Sequence, residues 1–351
     1  MQEKYSGLAA KIYSILFITA FFGALLLQLF IPNFTLASIS DGFLWRKDLI
    51  GQFNKFRFMV GDQVFYLSLV GKEGWLYYTG DKSIQDYQKN LSLNPKDLQK
   101  AMNSLSVIKR QVGKNGGKLI VIIAPDKQTI YPQYMPEQIT VFGQASRMDQ
   151  LMKFIQERKI DIELVDLRPV LIDASLSNEV YYKTDTHWNC LGAYYAYQKT
   201  MSDASISFPK LAPHPLSDFD LYVTDRVTMG ISHMMMIQDQ ENQWDARPAF
   251  QQKPFDITHK SVNETRIATN NMGKDLPKAM VFGDSFYRTC FDRFFESHFS
   301  RTVLIDWKYM LKTPKLIDKE QPDIVGVTAV NRGQLAHLWV NSSIAWEGLP
   351  R

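Results

Sequence analysis

The chain of 351 residues has only two cysteines, Cys190 and Cys290, too few for a disulfide framework or a cysteine-built zinc site. It also lacks an excess of either charge. Its 40 basic and 36 acidic side chains leave a formal net charge of +4, too even for a nucleic-acid-binding surface. No Gly-rich phosphate loop and no dinucleotide fingerprint occurs, so nucleotide-dependent chemistry has no anchor here. Histidines number six, without a His-Glu-x-x-His pattern. Beyond His187, the residues His214, His233, His259, His298 and His337 are scattered, which argues against a catalytic metal, and no cofactor is expected. Internal repeats and low-complexity tracts are missing as well, which sets aside solenoids and disordered linkers. What remains, 45% hydrophobic and 22% charged residues, is globular in composition and long enough to bury a core unaided.

Long apolar runs are absent with one exception. Residues 12–31, IYSILFITAFFGALLLQLFI, carry no charge. Twenty residues rising about 1.5 Å each match the roughly 30 Å hydrocarbon core of a bilayer. Lys4 and Lys11 precede the run, which places the N-terminus in the cytoplasm, and Pro32 and Asn33 stop the helix. The apolar core of a cleavable signal peptide spans only about 7–15 residues, so an uncleaved anchor is favoured over cleavage near Leu36-Ala37-Ser38. The expected organisation is a cytoplasmic tip and signal anchor over 1–32, a stalk over 33–70, and one domain over 71–351 outside the cytoplasm. An oxidising compartment would permit the two cysteines to pair.

Within the domain, strands alternate with helices. Leu119 to Ala124 (LIVIIA) reads as a strand buried on both faces, and Pro125-Asp126-Lys127 follows it as a polar loop. Helical spacing over Leu98, Met102, Leu105, Ile108 and Val112, and again after Ser146, flanks that strand. Further short strands are expected at 162–167, 279–282, 303–305 and 324–327, and a helix over 286–299. This pattern predicts an α/β fold with a parallel sheet. Residues 203–277 break the rhythm and are read as an irregular or β-rich insertion; Met234-Met235-Met236 inside it is read as core filling.

Two segments carry chemistry. In Val281-Phe282-Gly283-Asp284-Ser285-Phe286 a strand runs into a tight turn and a helix start, so Ser285 sits at the carboxyl edge of the sheet, where open α/β folds place ligands. Free backbone N–H groups at that helix start suit a developing oxyanion, whereas helix capping by Asp284 or Ser285 is the structural alternative. In Thr184-Asp185-Thr186-His187-Trp188-Asn189, Asp185 and His187 would share one side of an extended strand, so the carboxylate can fix the imidazole tautomer. A purely structural Asp–His bond or a metal pair are the other readings of this spacing. Arg288, Asn331, Arg332, Trp188 and Lys127 complete the candidates for oxyanion or sugar contacts.

The pairing of Asp185-Thr186-His187-Trp188-Asn189 with the later Gly283-Asp284-Ser285-Phe286 resembles the periplasmic alginate O-acetyltransferase family, whose domain is SGNH-hydrolase-like. Gly71-Lys72-Glu73-Gly74-Trp75-Leu76-Tyr77, Ser146 to Leu151, Phe294 to Arg301 and Gln321 to Arg332 are similar to further segments of that family. The resemblance implies an SGNH-like sheet with helices on both faces. It implies acetyl transfer to hydroxyls of a secreted polysaccharide, with the acetyl supplied through a membrane-bound O-acyltransferase. By motif, Ser285 is then the nucleophile, His187 the base and Asp185 the orienting carboxylate. Asn331 stands where relatives usually carry a Glu, and nothing in the sequence identifies a uronate site. An acetyl esterase with the same three residues and a non-catalytic glycan-binding scaffold remain the alternatives. Cys190 follows His187 by three residues and Cys290 follows Ser285 by five, so convergence of the two motifs would bring the thiols within bridging reach.

Overall fold

The computed structural model describes residues 11–20, 22–23, 26, 46–227, 230–237, 240–248, 255–262, 265–306 and 313–332. Residues 11–20 are helical, and most of the apolar run beyond them lies outside the described residues. Among the described residues no helix is long and apolar enough to cross a membrane.

Part of the expected stalk is folded onto the domain; residues 33–45 lie outside the described residues. Helix α1 (Arg46–Met59) is tied down by Asn54, whose side-chain amide donates to Met235 O at 2.8 Å. Strands β1 (Val64–Phe65), β2 (Ser68–Val70) and β3 (Leu76–Tyr78) form an antiparallel meander.

Among the described residues the central sheet has seven strands. β4 (Lys118–Ala124), β5 (Glu163–Asp166), β10 (Lys278–Gly283), β11 (Arg301–Asp306) and β12 (Ile324–Val330) pair in parallel in the order β5-β4-β12-β10-β11. The other β elements belong to the segment read as an insertion. β6 (Phe219–Val227) and β7 (Gln240–Pro248) form a separate antiparallel ribbon. β8 (Ile257–Val262) and β9 (Thr265–Asn270) are a hairpin that pairs antiparallel onto β11. The sheet is therefore mixed rather than all-parallel, because the two strands of a hairpin pair antiparallel with each other, and here β9 also runs antiparallel to β11.

Alternation along the strands divides the core. Leu119, Val121, Ile123, Met280, Phe282, Val325 and Val327 pack with Leu98, Met102 and Leu105 of α2 (Pro95–Gly113) and Leu151 of α3 (Arg147–Glu157). Ile120, Ile122, Ala279, Val281 and Leu304 face the other way, towards Leu171 of α4 (Arg168–Ser175) and Ala193, Ala196 and Tyr197 of α5 (Cys190–Ser205). Helices cover both faces, which is why the strand over 119–124 reads as an unbroken apolar run. Polar caps start three of these four helices: Asn94 accepts from Lys96 N, Ser146 and Asp149 form a capping box, and Asn189 accepts from Gly192 N.

The helix expected over 286–299 is broken. A π turn spans Tyr287–Phe291, with Thr289 (φ −88°, ψ 84°) and Cys290 (φ 64°) outside helical geometry, and short turns at Asp292–Phe295 and Glu296–His298 follow. A positive φ at a residue with a β-carbon is uncommon and interrupts helical propagation. The aromatic side is kept: Phe286, Phe291, Phe294, Phe295 and Phe299 are all buried. Of the methionine cluster, Met235 is buried while Met234 and Met236 are exposed.

His298 is buried beneath the root of the β6–β7 ribbon, its ring stacked 4.2 Å from that of His214. The Tyr197 hydroxyl accepts from His214 N at 2.7 Å and donates to His298 Nε2 at 2.6 Å. Burial, then the neighbouring His214, push the His298 pKa down to about 3. The unfolded chain takes up this proton near pH 6.5 and the folded chain does not, so the contribution is complete above that pH and declines as pH falls. Between pH 6.5 and 5 the decline for this one group is about 2 kcal/mol. Denaturant titrations across that window should show the loss, and a shallower pH slope in His298→Gln. Identical slopes in the two proteins would assign the effect to other groups.

Candidate active site

Ser285 lies on the turn that leaves β10. Asp284, not Ser285, caps that turn: its Oδ1 accepts from Phe286 N at 2.9 Å and Tyr287 N at 3.3 Å, and its Oδ2 from Val330 N at 2.8 Å. The cap leaves Ser285 exposed. Gly283 allows the tight exit, since a β-carbon there would stand 2.9 Å from Leu304 Cδ1 and 3.1 Å from Tyr287 Cβ.

His187 Nε2 is 2.7 Å from Ser285 Oγ, and His187 Nδ1 is 2.8 Å from Asp185 Oδ1. The residues that the spacing nominated, 98 positions apart in the case of His187 and Ser285, thus form one hydrogen-bonded series. Asp185 and His187 meet through a turn and not along an extended strand. Asp185 Oδ1 also accepts from the backbone N–H groups of Thr186 and His187, and Tyr181 pairs with Trp188 across the loop. Burial opposes ionisation of Asp185, but the His187 hydrogen bond and charge, Lys127 and the backbone N–H outweigh it and hold the carboxyl below its ordinary pKa.

The other candidates divide. Lys127 is buried, and its ammonium donates to the carbonyls of Tyr182 (2.9 Å), Lys183 (2.8 Å) and Asp185 (2.5 Å). Trp188 is buried too; its Nε1 donates to Thr289 O at 2.9 Å, and its ring meets Phe286 edge-on at 5.0 Å. The reading of these two side chains as substrate contacts is corrected: their polar groups hold the His187 loop in shape and tie it to the Ser285 turn. Asn331 is buried and donates through Nδ2 to Asp86 Oδ2 at 2.6 Å. Arg332 pairs with Asp126 at 2.5 Å, with its guanidinium 4.8 Å from the Tyr78 ring and 5.8 Å from that of Phe286. Arg288 is exposed and lies 3.4 Å from Asp306. Cys190 and Cys290 form a disulfide with a Cα–Cα separation of 5.2 Å, linking the residue three after His187 to the residue five after Ser285.

Residues 69–310 match the family model described as SGNH hydrolase-like domain, acetyltransferase AlgX. The chain belongs to this family. It is similar to the probable alginate O-acetylase AlgJ of Pseudomonas aeruginosa, 27% identical over 126 residues, which are 36% of this chain and 30% of that protein. The protein of the same name from Pseudomonas syringae is 28% identical over 132 residues, 37% of this chain and 32% of the relative. The chain thus spans about a third of the length of the curated relatives it matches. A solved DHHW family protein from Eubacterium siraeum superposes with a TM-score of 0.58 at 17% identity, covering 83% of this chain and 98% of that one. PatB1 of Bacillus cereus does so with a TM-score of 0.57 at 12% identity, covering 79% and 99%. These two share the fold.

Sequence reasoning missed Gly230. A β-carbon there would fall 2.2–2.5 Å from the carboxylate atoms of Asp185, so only glycine lets the backbone pass so close. Gly230 precedes the single helical turn Ile231–Met234, and Ser232 N donates to Thr184 O at 3.1 Å, which docks the segment on the Asp185 loop. No local signal marks it, because its partner is 45 positions away in sequence. Gly230→Ala should displace the carboxylate and slow sulfonylation of Ser285 by an aryl sulfonyl fluoride at least about tenfold, a loss near 1.4 kcal/mol of activation. Intact mass against time reads the rate; an unchanged rate in a variant that folds normally would show that Asp185 does not govern Ser285 reactivity.

Proposed function

We propose that the chain is an O-acetyltransferase that carries an acetyl group on Ser285 and passes it to hydroxyls of a secreted or cell-envelope glycan. The observation that carries this reading is the continuous series Asp185–His187–Ser285, with separations of 2.8 and 2.7 Å, in a domain of an acetyltransferase family. The names of the curated relatives, alginate O-acetylases, support the same transfer.

In the first half-reaction Ser285 Oγ attacks the acetyl carbonyl while His187 Nε2 takes the hydroxyl proton. Asp185, ionised, stabilises the imidazolium through Nδ1–H. The tetrahedral oxyanion takes the backbone N–H of Ser285, since Asp284 already occupies those of Phe286 and Tyr287. Collapse breaks the bond to the donor's leaving group, which receives the proton from His187. In the second half a sugar hydroxyl loses its proton to His187 and attacks the acetyl-serine. The new ester forms, and Ser285 Oγ regains the proton.

The uncharged run 12–31 behind Lys4 and Lys11 supports anchoring in the inner membrane with the N-terminus in the cytoplasm. The Cys190–Cys290 disulfide supports an oxidising, extracytoplasmic compartment for the domain. A donor on the membrane, of the O-acyltransferase kind that the family resemblance implies, fits this placement. The exposure of Ser285 favours one second reading, acetyl-ester hydrolysis, because water reaches the same acyl-serine.

Full-length protein incubated with a chromogenic acetyl ester should turn it over and show an acetyl adduct by intact mass. Ser285→Ala should abolish the adduct and lower turnover at least about 10³-fold. Added oligosaccharide then separates the two outcomes: acetylated sugar marks transfer, and free acetate alone marks hydrolysis. Well-folded protein with neither turnover nor adduct would overturn both readings in favour of a glycan-binding scaffold.

A further inference from the structure

A cavity of about 440 Å³ opens at the carboxyl ends of β4 and β5, a size within the roughly 300–1,000 Å³ of small-molecule sites. Its walls include Asn331, Tyr87, Thr129, Arg168 and Ile172. Strand order places it beside the Ser285 turn: β10 ends at that turn, β12 ends just before Asn331, and β4 lies next to β12. At about 4.8 Å per strand, the cavity lies some 10–14 Å from Ser285, a few sugar rings along a polymer.

Asn331 gives the cavity its chemistry. Asp86 Oδ2 accepts from the Asn331 amide at 2.6 Å, which fixes the amide orientation. The carbonyl oxygen, Oδ1, is then left without a hydrogen bond among the described residues, although Asn331 is only 6% exposed. A buried acceptor of this kind marks a missing donor. The missing partner has to present an O–H or N–H to it.

The charges select further. Arg168 is committed to carboxylates, with Nη1 2.6 Å from Asp149 and Nη2 2.7 Å from Asp166. Asp86 is paired from behind with Arg147 at 3.3 Å. Among the walls Asp86, Asp149 and Asp166 outnumber Lys89 and Arg168, so the cavity offers no excess of positive charge to a polyanion. Apolar walls from Tyr87 and Ile172 suit the flat C–H face of a pyranose.

We infer that this cavity is an acceptor subsite for a neutral sugar residue, one of whose hydroxyls donates to Asn331 Oδ1. The inference rests on the acetyl-transfer reading for its place in a reaction, but not for its ability to bind. It separates this chain from relatives named for alginate, a polyuronate, because walls with more carboxylates than cations repel a uronate carboxylate.

The test uses the full-length chain, a β-1,4-linked glucose tetrasaccharide and its mannose counterpart as neutral probes, and a uronate tetrasaccharide for comparison. Ile172, 43% exposed on α4, is replaced by tryptophan to fill the mouth without touching the Ser285 turn. With acetyl-serine formed from a chromogenic ester, Ile172→Trp should raise the acceptor KM for a neutral probe at least tenfold and leave the acylation rate within twofold. Calorimetry on Ser285→Ala protein should show neutral-probe binding, its loss in the Ile172→Trp background, and at least tenfold weaker binding of the uronate. An unchanged acceptor KM, binding insensitive to Ile172→Trp, no neutral-probe binding, or a preference for the uronate would overturn the subsite. Failure of acetyl-serine formation would overturn the acetyl-transfer reading alone, since the calorimetric arm still decides the subsite.

Discussion

Three parallel strands end side by side, and the surroundings of Ser285 hang from those ends. The register pairs Phe282 of β10 with Val327 of β12, and Val330 of β12 with Ala124 of β4. Parallel pairing delivers all three exits to one edge, which is where an α/β sheet can gather side chains from distant parts of the chain. Each exit grips its neighbour. Val330 N donates to Asp284, Arg332 reaches across to Asp126, and Lys127 holds the loop that carries Asp185 and His187. The position of Ser285 is therefore fixed by bonds between loops, and only indirectly by the helix that follows it.

That helix contributes little, and the ties that replace it are long-range. The disulfide spans 100 positions, and the Trp188–Thr289 hydrogen bond spans nearly the same distance in sequence. Between them the Phe286 ring packs against both His187 and Trp188, at 4.7 and 5.0 Å. Lys127 shows the cost side of the arrangement. An ammonium taken out of water needs its donors satisfied, and the three carbonyls of 182–185 do so, with Trp75 and Tyr77 rings 5.6 and 5.5 Å away. Bending the loop so that three carbonyls point inward is what turns Asp185 and His187 towards each other.

Much of this was legible in residue order because the signals were local. The LIVIIA run announces a strand covered on both faces, and the Gly-Asp-Ser turn after an apolar strand announces a serine at the sheet edge. Asp185 and His187 were legible as a pair, though for the wrong geometric reason. What was not legible depends on partners far away. The kink at Thr289–Cys290 lies in a stretch whose aromatic spacing is helical, and the departure is set where Cys290 meets Cys190. β8 is an edge strand with mostly exposed side chains, so it carries no apolar run to betray it. Gly230 owes its identity to a carboxylate 45 positions earlier. Lys127 and Trp188 looked like ligands of a substrate because their residue types do such work elsewhere; burial gave them internal partners instead.

Two carboxylates flank the histidine, and their environments assign them different work. Asp284 is fully enclosed; burial raises its pKa, against the pull of His187 and three backbone N–H groups that occupy its oxygens. Asp185 keeps a lowered pKa and spends its Oδ1 on His187 and on the turn that presents it. Only Asp185 has an oxygen in line with an imidazole N–H, so only Asp185 can hold the tautomer that leaves Nε2 free to accept a proton from Ser285. Separated environments for neighbouring acids are the usual mark of divided roles. Here the division is between a group that shapes the turn and a group that orients the imidazole. The serine itself stands exposed at the turn beside them.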